Sequence, residues 1–185
     1  IFSSVFDHTA IDFLESLGCP AYKIASMEIS DPVLIEHAAR TNKPMIISTG
    51  MASRNEIIDA WKIAPNAAFL HCMSEYPGTI ETSNLGGIRN LQALVYDRVV
   101  GISDHTMGST APIAEVAMGA CIIEKHFGRL EGVKSEDDEF SMSEFEFHEM
   151  VIATKQAYYA CKEIPPKDTS SRQVRRSLYA GEDIR

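Results

Sequence analysis

Two histidines close two successive apolar runs, Gly-Ile-Ser-Asp-His-Thr at 101–106 and Ile-Ile-Glu-Lys-His-Phe at 122–127. Imidazole suits Mn, Fe, Co, Ni or Zn. If the runs are parallel strands joined by a crossover helix, His105 and His126 reach one sheet edge, within range of one metal ion. Side chains alternate along a strand, so Ser103 faces with His105 and Glu124 with His126, while Asp104 and Lys125 face away. Glu136, Asp137 and Asp138 follow closely, and a carboxylate there would bias the site towards harder ions. The alternative for each histidine is a buried ring hydrogen-bonded to backbone.

Lys23 is the next chemical signal, a lysine inside the apolar run Ala-Tyr-Lys-Ile-Ala-Ser at 21–26. It must snorkel out or meet a charge, because burying it unpaired costs several kcal/mol. With Ser26, Ser48 and Ser103 at neighbouring strand ends, it could cradle a phosphate or carboxylate. The alternative is a lysine paired with Glu28 or another buried acid.

Positioning these groups requires strands, and the spacing predicts them at 1–5, 21–26, 44–49, 67–72, 99–103 and 121–126. Helix starts lie between them. Asp31-Pro32 is an N-cap followed by proline, and Ser53-x-x-Glu56 and Ser143-x-x-Glu146 are capping boxes. Met142 and Phe147 are placed as a staple around the last start. Phe147, Met150, Val151, Thr154 and Tyr158 then form one helical stripe. Strand–helix alternation of this kind implies a parallel sheet with right-handed crossovers. No G-x-G-x-x-G marks an open doubly wound nucleotide fold. Chemistry spread over many strand ends points instead to a (β/α) barrel. A complete barrel has eight units and about six are legible, so two strands are expected before Ile1. Prolines and small polar residues after Cys161 read as a linker.

The 185 residues, 45% of them hydrophobic, suffice for one sizeable core. A net charge of −9 argues against a sequence-independent grip on nucleic acid or anionic membrane. Cys19, Cys72, Cys121 and Cys161 form no Cys-x-x-Cys pair and read as reduced, buried thiols of a cytoplasmic protein. No apolar run is long enough for a membrane span. His8, His37 and His148 fall in helical segments and carry no expected catalytic role.

Five motifs, taken together, are similar to the sialic acid synthase family: Tyr-Lys-Ile-Ala-Ser-Met-Glu at 22–28, Ile-Ser-Thr-Gly-Met at 47–51, Leu-His-Cys-x-Ser-x-Tyr-Pro at 70–77, and the two histidine motifs. The resemblance implies a (β/α)8 barrel, here incomplete and spanning 1–163, a linker at 164–171, and at 172–185 the beginning of an antifreeze-like (SAF) domain. It implies condensation of phosphoenolpyruvate with an amino-sugar aldehyde, dependent on manganese or magnesium, in a homodimer.

On this resemblance His105 and His126 hold the metal and Asp137 binds its water or the sugar. Lys23, Ser26, Ser48, Ser103 and Ser4 hold phosphoenolpyruvate, and Glu28, Phe6, Ser74 and Tyr76 face the sugar. Val5 departs from the family, where many members have proline. Ile-Ala-Ser-Met-Glu, Ser-Glu-Asp-x-x-Phe-Ser at 135–141 and Arg-Ser-Leu-Tyr-Ala resemble the branch that makes pseudaminic acid from a diacetamido-trideoxy-altrose. His71 departs from that branch, where lysine is frequent. The rival products are N-acetylneuraminic and legionaminic acid. Readings of another class are a non-catalytic sugar-binding barrel and an aldolase forming a Schiff base on Lys23 or Lys125.

Overall fold

Short Ile-, Val- and Phe-rich runs become strands because their alternate side chains can be buried on both faces of a sheet. In the computed structural model, which describes residues 1–128 and 135–162, six form: β1 (Ser3–Ser4), β2 (Tyr22–Ile24), β3 (Met45–Ser48), β4 (Ala68–Cys72), β5 (Val100–Asp104) and β6 (Ile123–Lys125). Each lies within or beside its expected run, most being shorter, and β1 keeps only two residues of five. All adjacent pairs are parallel, and the order runs β1 to β6 without reversal. A doubly wound sheet reverses its order at a switch point, whereas this sequential order is that of a barrel wall.

The crossovers carry α1 (His8–Ser16), α2 (Pro32–Arg40), α3 (Arg54–Ile63), α4 (Gly87–Val95) and α5 (Thr110–Ala117), and α6 (Glu144–Ala160) follows β6. Their starts are local chemistry. Asp31 accepts from Val33 N and Leu34 N with Pro32 behind it, and both capping boxes are complete. Each such cap is worth about 1 kcal/mol. Helix α1 ends on Gly18, at φ +71°, where Gly18 N and Cys19 N bond back to Glu15 O and Leu14 O.

Right-handed crossovers put these helices on one side of the sheet. The core lies there, between Tyr22, Ile24, Ile47, Phe69 and Val100 of the strands and Ile11, Leu34, Ile35, Ile88 and Leu91 of the helices. Burying each of these side chains contributes about 1.5–3 kcal/mol. The opposite, concave side takes Lys23, Ser48, Leu70, Cys72, Gly101, Ser103 and Glu124. Register confirms the division, since Lys23 is paired with Ile46, Leu70 with Gly101, and Ser103 with Glu124.

Two expectations are corrected. Tyr158 is exposed and lies against Tyr159, 5.5 Å between ring centroids, because the buried stripe of α6 runs through Met150 and Thr154 and turns away before it. Cys19 and Cys72 are buried, but Cys121 and Cys161 are exposed; all four are free. The expected linker at 164–171 and second domain at 172–185 lie outside the described residues, and no helix among those described is long and apolar enough to cross a membrane.

Candidate active site

The concave ends of the strands enclose a hollow of about 300 Å³ lined by Ser4, Lys23, Ser26, Ser48, Cys72, Tyr76, Ser103, His105, Glu124 and His126, among others. Lys23 Nζ donates to Ser48 Oγ at 2.8 Å and to Ile24 O at 3.0 Å, and lies 3.6 Å from Glu124 Oε1. Burial pulls its ammonium below the usual lysine range, and Glu124 opposes that shift. The acid that meets Lys23 is therefore Glu124 rather than Glu28. Glu124 also accepts from Ser103 Oγ at 2.7 Å, so one carboxylate orients a cation and a hydroxyl.

His105 and His126 come together as their spacing predicts, with ring centroids 5.4 Å apart. His105 Nδ1–H donates to the carbonyl of Met73 at 3.0 Å, which leaves Nε2 as the bare nitrogen of the neutral ring. His126 Nδ1 lies 3.4 Å from Asp137 Oδ2, which favours the same tautomer. Burial opposes charging of both rings. For His105 it is outweighed by hydrogen bonds to Cys72 and Met73, and the net shift is upward. For His126 burial prevails over Asp137, and the shift is downward.

Tied Nδ1 atoms and bare Nε2 atoms are how metal-bound imidazoles are held, with a carbonyl or carboxylate behind each ring. The donor set thus fits a divalent ion on two imidazoles, with water or substrate oxygens completing its shell. Among the described residues no group of three or more His, Cys, Asp or Glu side chains is arranged to hold a metal.

Aromatic rings form one wall. Tyr76 packs on His105 at 4.0 Å and Phe140 on His126 at 4.9 Å, with 5.6 Å between Tyr76 and Phe140. The backbone fixes this wall, because Gly78 N donates to His105 O and Met142 N to His126 O. At the rim, Gly50 N donates to Ser26 Oγ at 3.1 Å. A Cβ on Gly50 would stand 2.2 Å from Ser74 Oγ and 2.8 Å from Ser26 Oγ.

Of the expected residues, Phe6, Glu28, Ser74 and Asp137 do not line the hollow. Phe6 is 65% exposed, Glu28 opens a short 3-10 turn after β2, and Ser74 stands behind Cys72 at 3.8 Å. Lys125 borders the hollow, yet its ammonium is bound to Asp104 Oδ2 at 2.6 Å and Thr106 O at 2.5 Å. Glu124, Cys72 and Phe140 were missing from the expected set. Strand alternation carries the signal for the first two, as each sits two residues from another inward group. The Cys72 thiol is pushed up by burial, but bonds with His105 and Ser26 outweigh this and lower it.

A model of the NeuB family matches residues 1–164. The chain belongs to the NeuB family. It is 43% identical to a pseudaminic acid synthase of Helicobacter pylori over all of this chain and 57% of that protein. It is 34% identical to an N,N'-diacetyllegionaminic acid synthase of Campylobacter jejuni, over 99% of this chain and 58% of the other. The crystal structure of an N-acetylneuraminic acid (sialic acid) synthetase from Leptospira borgpetersenii, in complex with citrate, superposes with a TM-score of 0.86. It is 31% identical, and the match covers 97% of this chain and 64% of that one. The NeuB chain described here thus spans little more than half the length of these curated relatives.

Proposed function

We propose that this chain carries the strand-end chemistry of a synthase that condenses phosphoenolpyruvate with 2,4-diacetamido-2,4,6-trideoxy-L-altrose to give pseudaminic acid and phosphate. The observation that carries the reading is the convergence of the buried Lys23 ammonium, four serine hydroxyls and two imidazoles on a single hollow. The 43% identity to a pseudaminic acid synthase supports the choice of sugar.

Lys23, Ser26, Ser48 and Ser103 bind the phosphate and carboxylate of phosphoenolpyruvate, and Ser4 extends that set at the edge of the sheet. Glu124 keeps Lys23 charged and aimed. His105 and His126 hold a divalent ion, manganese or magnesium, and Asp137 orients His126 and faces the sugar. When bound, that ion would supply Lewis-acid polarisation of the aldehyde oxygen.

Tyr76 and Phe140 pack against the sugar and exclude bulk water, with Ser74, Phe6 and Glu28 further out. Held in this way, C3 of phosphoenolpyruvate forms the new bond to the aldehyde carbon. Water adds to C2, and the C2–O bond to phosphate then breaks. Lys23 and the serines stabilise the departing dianion. Orientation of two substrates by short, rigid strand ends supplies a large part of the rate.

On sequence resemblance, 1–163 belong to the barrel, 164–171 link it to the next unit, and 172–185 open an antifreeze-like domain of a cytoplasmic homodimer. The test is phosphate release by the full-length protein with phosphoenolpyruvate and manganese, offered the altrose-derived sugar, its legionaminic counterpart or N-acetylmannosamine. Turnover only with the altrose sugar, lost on chelation, is the expected result. Preference for either other sugar reassigns the substrate, and no release from any overturns the enzymatic reading.

A further inference from the structure

The parallel ladder between β5 and β6 stops at Asp104 and Lys125, so His105 and His126 stand one residue beyond the last paired positions. Sheet hydrogen bonds between these two strands no longer fix their separation. At that last rung, on the outer face under α5, the paired side chains are themselves an ion pair. They are 2% and 1% exposed, with Nζ to Oδ2 at 2.6 Å.

The preceding outward rung is Ile102 beside Ile123, so an apolar pair is what this face otherwise uses. A buried ion pair is seldom more stabilising than an apolar pair of similar volume, and its presence calls for another reason. Its hydrogen bonds supply one. Lys125 Nζ donates to Asp104 Oδ2 and to Thr106 O, while Thr106 N donates to Asp104 Oδ1 at 2.9 Å. The three bonds close a ring around His105, from the residue before it to the residue after it, and fasten that ring to the residue before His126. Glu115 of α5 is fully buried near Asp104 with no hydrogen-bond partner among the described residues, and burial with Asp104's charge raises its pKa to about 8.

We propose that Asp104 and Lys125 are positioning residues that set the spacing of the His105 and His126 imidazoles, and through it the affinity for a divalent cation. The proposal rests on the reading of those histidines as metal ligands.

The experiment is manganese binding by the full-length protein, by titration calorimetry and by the electron paramagnetic resonance of free manganese, beside thermal unfolding. In the double variant Asp104→Leu, Lys125→Met the ion pair becomes apolar. We expect it to unfold within a few degrees of wild type and to bind manganese at least tenfold more weakly. A folded double variant with unchanged manganese affinity overturns the proposal. Should that variant not fold, Lys125→Arg keeps the charge in a wider head group. Severalfold weaker binding by folded Lys125→Arg supports the proposal, and unchanged binding overturns it. His105→Ala separates the two readings. If it binds manganese as tightly as wild type, the metal reading fails and the pair's role with it. If it binds weakly while the pair variants bind normally, only the pair's role fails.

Discussion

Lys23 Nζ on β2 lies 3.6 Å from Glu124 Oε1 on β6, although three strands stand between them in the sheet. In a flat sheet four strand spacings would hold these positions about 19 Å apart. The contact therefore crosses the hollow, and it exists only because the sheet curls.

That contact separates two kinds of damage. Glu124→Gln leaves Lys23 buried without its counter-charge; because Glu124 is partly exposed, the expected cost is about 1 kcal/mol in chemical denaturation of the full-length protein. Lys23→Met should cost no more than that, yet raise the KM for phosphoenolpyruvate at least tenfold. An unchanged KM would remove Lys23 from the substrate-binding set.

Gly50 stands where any side chain meets Ser74 and Ser26. Gly50→Ala should lower kcat/KM about tenfold or more by displacing Ser26, with stability altered by about 1 kcal/mol at most. Wild-type kinetics in Gly50→Ala would show that the rim hydroxyls can move without consequence.

Phe140 packs its ring on His126 and Tyr76, on the side of the hollow read as the sugar's. Phe140→Ala should raise the KM for the sugar about tenfold and leave that for phosphoenolpyruvate within twofold. Equal effects on both would mean that the ring acts on the whole site.

Glu115 makes stability fall as pH rises. Its pKa is raised from 4.5 to about 8 by burial and by Asp104, so between these values the folded state binds a proton that the unfolded state releases. His71, whose Nε2 is 3.7 Å away, is pushed below 6.5 by burial and acts in the opposite direction below that pH. From pH 6.5 to about 8 Glu115 contributes a slope approaching about −1.4 kcal/mol per pH unit, and His105, shifted upward from 6.5, adds to it in the same direction. Glu115→Gln should remove the Glu115 contribution, as read from urea midpoints at several pH values. A slope equal to wild type in that variant would mean that Glu115 is ionised when folded.

Much of this arrangement was legible in the chain. The capping boxes at Ser53 and Ser143, the run of polar strand ends and the shared edge of His105 and His126 all follow from local spacing, and the structure has them. What depends on curvature was not legible. Glu124 meets Lys23 across three strands, which no sequence interval encodes. Cys72 was hidden by its apolar neighbours, which made an inward-facing thiol look like core. Phe140 lies in a segment without periodicity, so nothing in the chain announced that it would close on His126. Tyr158 misled because it continues, at helical spacing, a stripe whose burial in α6 extends only through Met150 and Thr154.

Along β5 the two sides of the sheet take successive residues: Ile102 outward, Ser103 inward, Asp104 outward, then His105 into the hollow. Substitution at one position can leave the neighbouring role intact. Loss or gain of a single residue cannot, since it would turn every later side chain to the opposite face and send the ion pair into the hollow and the imidazole under α5. In this strand the count of residues is itself a constraint, and variants of this chain should differ there by exchange of side chains and never by length.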